Sequence, residues 1–305
     1  MVEVINTIVP IFVVILLGIL LRRMDFLPTA ILGPLNKLVF YLAIPAMIFR
    51  KIAGASFQDH FQPLILTGTL VPVVVVFGLA FWTVRLGRIE SKVSGTFVQS
   101  SFHGNLGYIG LAVCFYFLGD QGLTRASILA GFLMLLQNLL SVIGLQTAST
   151  SGAFRQSRFV IKKVLLNPVI ISAGAGILFS VFGLPLPVTV TRSLDIVSGM
   201  ALPLALLVIG ASLSFSLIRD HLRLALWTGG LKLLLLPLLG LLLFTSLGLE
   251  PTAFAPGLIL LAAPTATVTY VMAGEMRGSP DLASATVALN TILSAATYLL
   301  WLSLI

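Results

Sequence analysis

Residues 99–110 read QSSFHGNLGYIG and interrupt a long apolar run. His103 and Asn105 lie near the middle of this run, and three glycines recur at intervals of three between Gly104 and Gly110. Glycine weakens a helix and allows another backbone to approach closely. The stretch therefore predicts a place where a membrane helix unwinds, although spaced glycines are also typical of a close helix-packing face.

A second stretch of this kind lies near the end of the chain. Residues 262–270 read AAPTATVTY, in which Pro264 is followed by three threonines. Proline removes a backbone donor and clashes with the preceding helical turn. Unwound backbone at membrane depth is tolerated only where protein buries it or it lines a water-filled cavity. Helix breaks at corresponding positions of two halves are the best sequence indication of a transporter's binding site.

The composition identifies an all-α polytopic membrane protein. Of the 305 residues, 58% are hydrophobic and only 9% are charged, and the mean hydropathy is +1.10. Globular proteins carry about 25% charged residues. The net charge of +8 is spread between long apolar runs, which argues against a nucleic-acid binder, and the single cysteine argues against a disulfide scaffold. A transmembrane β-barrel is excluded because its strands are short and alternate apolar with polar residues.

Ten segments are long enough to cross a membrane, which takes about 20 apolar residues in a helix. These predicted spans 1 to 10 cover residues 4–21, 31–49, 63–84, 94–118, 124–146, 163–183, 190–217, 223–248, 255–275 and 283–304. The two stretches that contain the predicted breaks lie in spans 4 and 9.

The basic residues predict the orientation, because cytoplasmic loops carry an excess of lysine and arginine. Twelve of the eighteen lie after odd-numbered spans: Arg22, Arg23, Arg85, Arg88, Lys92, Arg155, Arg158, Lys162, Lys163, Arg219, Arg223 and Arg277. Four lie on the opposite side: Arg50, Lys51, Arg125 and Arg192. We therefore expect both termini to be extracytoplasmic, in a cell membrane.

The polar segment 147–160 is predicted to be a cytoplasmic linker between two halves of five spans, residues 1–146 and 161–305. Because five is odd, the second half enters the membrane from the opposite side, which predicts a 5+5 inverted repeat. Three pairs of segments match in the same order: residues 43–45 with 201–203, 67–70 with 228–231, and Tyr108 with Tyr270.

Four segments resemble the auxin efflux carrier family, which contains plant auxin exporters and bacterial carriers of malonate or malate. They are LVFYLAIPAMIF at 38–49, NLGYIGL at 105–111, LPLALLVIGASL at 202–213 and APTATVTY at 263–270. The similarity covers nearly the whole chain, and the short linker resembles that of the compact microbial members.

The resemblance implies a fold like that of bile-acid sodium symporters and an elevator-type homodimer. Spans 1, 2, 6 and 7 would form a scaffold, and spans 3–5 and 8–10 would form a transport domain. In that domain the broken spans 4 and 9 cross. Family site residues cluster at this crossing, which maps onto Asn105, Gly107 and the run from Pro264 to Thr269.

Broken helices that meet at a crossing present free N–H groups and positive dipole ends, which favour anions. The candidate substrate-binding residues are Gly104, Asn105, Gly107, Tyr108, Lys232, Pro264, Thr265, Thr267 and Thr269. The threonine hydroxyls have a structural alternative, since such groups commonly bond back to their own helix.

Lys232 is the one basic residue predicted to lie deep in the membrane. It follows Arg223 by nine residues, which places it about 13 Å below the cytoplasmic edge. An unpaired lysine at such depth costs on the order of 3 kcal/mol. It is predicted either to receive the anionic substrate or to balance the carbonyl ends of the broken helices.

Four polar residues are candidates for ion coupling, with Na⁺ or H⁺ as the ion. His103 titrates near neutral pH in its unperturbed state and is a candidate proton carrier, although a hydrogen-bonded core histidine is the alternative. Gln137, Asn138 and Asn290 flank the predicted crossing and are candidate cation ligands. Asp195 follows Arg192 by three residues, which predicts an ion pair at the membrane interface.

The sequence thus favours a secondary active transporter of a small organic anion, without a cofactor. An ion gradient or the anion's own gradient would drive it. An alternative is a channel or a sensory membrane protein of the same fold. An enzyme is not expected, because residues 104–110 lack the Gly-Lys-Ser/Thr ending of a phosphate loop and the chain has no His-Glu-x-x-His motif.

Overall fold

A computed structural model describes residues 2–147 and 166–305. Within these ranges the chain is helical, with no strand beyond a single antiparallel bridge. Helices are expected because a chain in lipid must satisfy its backbone groups internally. Except for Thr147, the predicted linker at 147–160 lies outside the described residues. So do the first residues of the second half, 161–165.

We number the helices in chain order. They are α1 (Val2–Arg23), α2 (Thr29–Ala53), α3 (Phe57–His60), α4 (Pro63–Leu86), α5 (Ser91–Ser100), α6 (Leu111–Thr147), α7 (Pro168–Val181), α8 (Val188–Ser212), α9 (Ile218–Ser246), α10 (Pro251–Ala262), α11 (Val268–Glu275) and α12 (Pro280–Leu302).

The described residues form a multi-pass membrane protein, in which seven helical segments are long and apolar enough to cross a membrane. This number is smaller than the ten predicted spans for identifiable reasons. Leu106–Gln146 is one segment that covers part of span 4 and all of span 5. It is interrupted at Gly119, where a φ of 68° is not helical. The α7 and α10 helices are apolar but shorter, and span 9 is divided between α10 and α11. The 5+5 inverted repeat stays a prediction.

Three wide helical turns of the π type interrupt the regular helices. They lie at Val39–Ala43 within α2, at Leu106–Gly110 before α6, and at Gly230–Leu235 within α9. Such turns hold one residue more than an α-turn and frequently lie at functional sites. Two of the three contain residues that the sequence singled out as candidate site residues, Tyr108 and Lys232.

The chain divides into two compact units. Unit 1 consists of Met1–Pro63, Gly107–Phe132 and Leu166–Leu213, and therefore holds α1, α2, α7 and α8. Unit 2 consists of Leu64–Leu106, Leu133–Leu165 and Ser214–Ile305, and holds α4, α5 and α9 to α12. The α6 helix contributes residues to both units. The helix breaks that the structure shows, at 101–105 and 263–267, both belong to unit 2.

In unit 1, α1 packs against the second part of α8 at a point of backbone contact. A Cβ atom added to Gly210 would lie 1.9 Å from the carbonyl oxygen of Ile15. A Cβ atom added to Gly18 would lie 2.3 Å from the carbonyl oxygen of Leu207. Only glycine permits this approach, which is how helices associate closely in lipid.

Two ion pairs join polar ends of unit 1. Arg50 Nε lies 2.9 Å from Asp195 Oδ1, and Lys51 Nζ lies 2.6 Å from Asp120 Oδ1. The predicted pairing of Asp195 with Arg192 is therefore wrong. The spacing of three residues makes that pair a neighbour along one helix, but α2 brings a different arginine to the carboxylate.

Unit 2 is closely packed around glycines of α4, α9 and α10. A Cβ atom on Gly68 would lie 2.4 Å from the ring of Phe244, and one on Gly229 would lie 2.7 Å from Asn290 Oδ1. The side chain of Asn290 is thereby fixed against the backbone of α9. This contact positions one of the candidate polar residues.

Candidate functional site

The sequence-predicted breaks are confirmed, and each has a local cause. The α10 helix ends at Ala262 because Ala263 takes an extended conformation, with φ −58° and ψ 137°. The residue before a proline is sterically driven into this region, and here that proline is Pro264. The α5 helix ends at Ser100, and the chain becomes helical again only at Leu106.

The two broken segments pair with each other. The backbone N–H of Asn105 donates to the carbonyl of Pro264 at 2.7 Å, and that of Ala266 donates to the carbonyl of His103 at 2.9 Å. These bonds form an antiparallel bridge between Gly104 and Thr265. Since unsatisfied backbone groups are costly in lipid, each break supplies partners that the other needs. We call these paired segments, 101–105 and 263–267, the crossing.

Gln137 of α6 satisfies further backbone groups of the first break. Its Oε1 accepts from the N–H of Gly104 at 3.3 Å, and its Nε2 donates to the carbonyl of Phe102 at 3.2 Å. The side chain is fully buried. Both polar ends of the amide therefore serve the backbone, and the role of Gln137 as an ion ligand stays a prediction.

Thr265 joins the crossing to two neighbouring helices. Its hydroxyl donates to the carbonyl of Ser100 at 3.0 Å and accepts from Asn290 Nδ2 at 2.8 Å. All three residues are fully buried. The hydroxyl thus links the end of α5 to α12, while Asn290 Oδ1 and Ser100 Oγ have no hydrogen-bond partner among the described residues.

Lys232 reaches the crossing from the wide turn of α9. Its ammonium donates to the carbonyl of Leu261 at 2.7 Å, and the residue is 0% exposed. Leu261 belongs to the last turn of α10, where carbonyls carry the negative end of the helix dipole. In the described part of the chain, no carboxylate lies within ion-pair distance of this ammonium. The lysine is thus fully buried within the protein, while its depth in the membrane stays a prediction.

His103 is part of a buried hydrogen-bond chain. Its Nδ1 lies 2.8 Å from the hydroxyl of Ser141, and that hydroxyl donates to the carbonyl of Gln137 at 2.7 Å. Because a serine hydroxyl has one hydrogen, the network assigns the donor role to Nδ1 of the imidazole. The ring is therefore oriented by α6.

Other candidate residues have local roles. The hydroxyl of Thr269 donates to the carbonyl of Ala266, as expected for a threonine that bonds back to its own turn. The phenol of Tyr108 donates to Asn36 Oδ1 of α2 at 2.6 Å. Of the remaining candidates, Gly107, Asn138 and Asn105 are buried, whereas Thr267 is half-buried.

Two residues that organise the crossing are not among the predicted site residues. The carbonyl of Ser100 accepts from Thr265, and the hydroxyl of Ser141 accepts from His103. Ser100 acts through its backbone carbonyl, so no side-chain property of the sequence indicates this contact. Ser141 gives no signal either, because single serines are common in membrane helices.

Replacing Thr265 by valine should destabilise the crossing. The change keeps the shape but leaves the Ser100 carbonyl and Asn290 Nδ2 without their partner, which should cost about 2 kcal/mol of unfolding free energy. Thr267→Val is the matched control, since the half-buried Thr267 makes no such pair of bonds in the described structure. Denaturant unfolding in detergent measures both. Equal losses in the two variants would contradict the proposed link.

Comparisons with known proteins extend over the whole chain. Residues 3–302 match a family model described as membrane transport protein. A protein named "Uncharacterized transporter" from Methanothermobacter thermautotrophicus is 28% identical over 303 residues, which cover 97% of this chain and 96% of that protein. A protein named "Putative malonate transporter" from Rhizobium meliloti is 27% identical over 310 residues, which cover 97% and 94% of the two chains.

Proposed function

Because the chain belongs to the membrane transport protein family, that of the auxin efflux carriers, we propose that it moves a small organic anion across the cell membrane. The substrate would carry a carboxylate and be related to malonate, malate or an auxin-like acid. The similarity to a relative named as a malonate transporter supports this class. The protein would be a secondary active transporter and not an enzyme.

The observation that carries this proposal is the buried ammonium of Lys232 at the crossing. A lysine at membrane depth without a carboxylate partner costs on the order of 3 kcal/mol, and an anionic substrate would offset that cost. Lysine has three N–H donors, and the carbonyl of Leu261 uses one of them. The other two are available for a carboxylate.

The ends of the interrupted helices support the same substrate charge. Helix begins again at Leu106 and at Val268, immediately after the two breaks. The positive ends of their dipoles therefore lie at the breaks, while the N–H groups of Leu106 and Thr269 already donate to the carbonyls of Gly104 and Ala266. An anion would also accept hydrogen bonds from Asn105 and Thr267, which flank these starts.

We further propose an elevator-type mechanism with the predicted ten-span inverted repeat. Unit 1, which holds α1, α2, α7 and α8, is the candidate scaffold, and unit 2, which holds the crossing, is the candidate transport domain. The protein would form a homodimer in the cell membrane with both termini extracytoplasmic. A cation gradient or the anion's own gradient would drive transport, with His103, Gln137, Asn138 and Asn290 as candidate coupling residues.

Carboxylate uptake into proteoliposomes tests the substrate class, and two variants test the site. We expect saturable uptake of malonate, malate or an indole acid by the wild type. Asn105→Ala and Pro264→Ala should reduce that uptake to background and leave the folded protein purifiable. Gln121→Ala, which removes an exposed amide outside the crossing, should transport like the wild type.

Two results would contradict the proposal. Wild-type uptake in both crossing variants would show that substrate binds elsewhere. An absence of uptake for every carboxylate, together with a rise in melting temperature caused by a neutral or cationic compound, would reject the anion class. The melting temperature reports binding because a ligand of the folded state stabilises it.

A further inference from the structure

The carbonyl ends of the two interrupted helices are satisfied in different ways. At the end of α5, the carbonyl of Ser100 accepts from the hydroxyl of Thr265, and that of Gln99 accepts from the backbone N–H of His103. Both donors are neutral. Near the end of α10, the carbonyls of Ile259 and Leu260 likewise accept from neutral groups.

The carbonyl of Leu261 differs, because a cationic group occupies it. Lys232 Nζ lies 2.7 Å from this oxygen. The first break approaches the same ammonium, since a Cβ atom added to Gly104 would lie 3.3 Å from both Nζ and Cε of Lys232. Glycine at this position therefore leaves room for the lysine head group beside the paired backbones.

In transporters with interrupted helices, the carbonyl ends of half-helices and unwound carbonyls bind the coupling Na⁺. Such an end concentrates partial negative charge in a site that excludes water, so a cation stabilises it. In this chain an ammonium on a side chain of α9 already supplies that charge. Its distance to the carbonyl is that of a strong charge-assisted hydrogen bond.

We propose that Lys232 is a tethered cation that neutralises the carbonyl end of α10 in place of a bound metal ion, so that the crossing forms without sodium. One consequence of this inference rests on the proposed transport function: carboxylate uptake should proceed in sodium-free medium. The structural part concerns the folded protein alone. Lys232 is in this respect a positioning residue, which holds the crossing in the shape that receives the anion.

The test is chemical rescue of a truncated lysine, measured as melting temperature in detergent with choline chloride as the background salt. Lys232→Ala removes the ammonium and leaves a space, which should lower the melting temperature by about 5 °C. Ethylammonium chloride should restore at least half of this loss by occupying the space. Lys232→Met should also be less stable, but ethylammonium should not restore it because the methionine fills the space.

Two controls keep the result specific. Lys37→Ala changes the exposed lysine of α2 and should neither lose stability nor respond to ethylammonium. The wild type should show the same melting temperature in sodium chloride and in choline chloride. If Lys232→Ala does not fold, Lys232→Arg, which keeps the positive charge, should be more stable than Lys232→Met.

The proposal is overturned by any of three results. These are a sodium-dependent rise in the wild-type melting temperature, no restoration of Lys232→Ala by ethylammonium, and a Lys232→Met variant as stable as the wild type. In proteoliposomes, uptake by the wild type that requires sodium would also overturn it. If no carboxylate is taken up under any condition, the proposed function fails, while the melting temperatures still decide the role of Lys232.

Discussion

Gly210→Ala is expected to lower the melting temperature of the detergent-purified protein by roughly 5 °C. The new methyl group would lie 1.9 Å from the carbonyl oxygen of Ile15 and 3.1 Å from Cα of Gly18. These are backbone atoms of α1, so no side-chain rotation can relieve the overlap. Separating the two helices should cost about 3 kcal/mol, which corresponds to the stated shift for a protein of this size.

Gly199→Ala provides the matched control within the same helix. A Cβ atom at Gly199 would meet no heavy atom within 4 Å. The change should leave stability unaltered or raise it by up to about 1 kcal/mol, because alanine is the better helix former. If Gly210→Ala and Gly199→Ala melt together, α1 does not contact α8 at Gly210.

Gln137→Leu is expected to abolish carboxylate uptake and to reduce the unfolding free energy by about 3 kcal/mol. The leucine preserves the volume but removes both hydrogen bonds to the first break, so the N–H of Gly104 and the carbonyl of Phe102 lose their amide partner. Each unsatisfied buried group costs about 1–3 kcal/mol. The geometry of the crossing depends on these bonds, and substrate binding depends on that geometry.

Uptake and denaturant unfolding should be measured together for this variant, with Gln121→Leu as the control. Gln121 is exposed, so its replacement should leave both quantities close to those of the wild type. Wild-type uptake and stability in Gln137→Leu would mean that the Gly104–Thr265 pairing holds the crossing without the amide. Gln137 would then remain a candidate ion ligand, as the sequence predicts.

The positions of the helices and of the two breaks follow from local chemistry. Apolar runs must form helices in lipid, Pro264 forces Ala263 out of the helix, and the polar, glycine-rich stretch around Gly104 separates α5 from Leu106. The burial of Lys232 agrees with a count of residues from Arg223 along one helix. Each of these properties depends on the chain within about ten residues of the position concerned.

The partners of the buried polar groups depend on tertiary packing and could not be obtained in this way. No feature of the neighbouring residues selects the Leu261 carbonyl for Lys232, or Arg50 for Asp195. The matched pair Tyr108 and Tyr270 shows the same limit, since the first is 6% exposed and the second 53%. Similar positions in two related segments need not share an environment.

The wide turn at Gly230–Leu235 has a consequence for the rotational phase of α9. An α-helix turns by about 100° per residue, and a π turn holds one residue more than an α-turn. Side chains before and after the turn are therefore offset by about one residue's rotation. Gly229 meets α12 and Lys232 meets α10, so α9 contacts two different helices within the few residues where the extra residue is inserted.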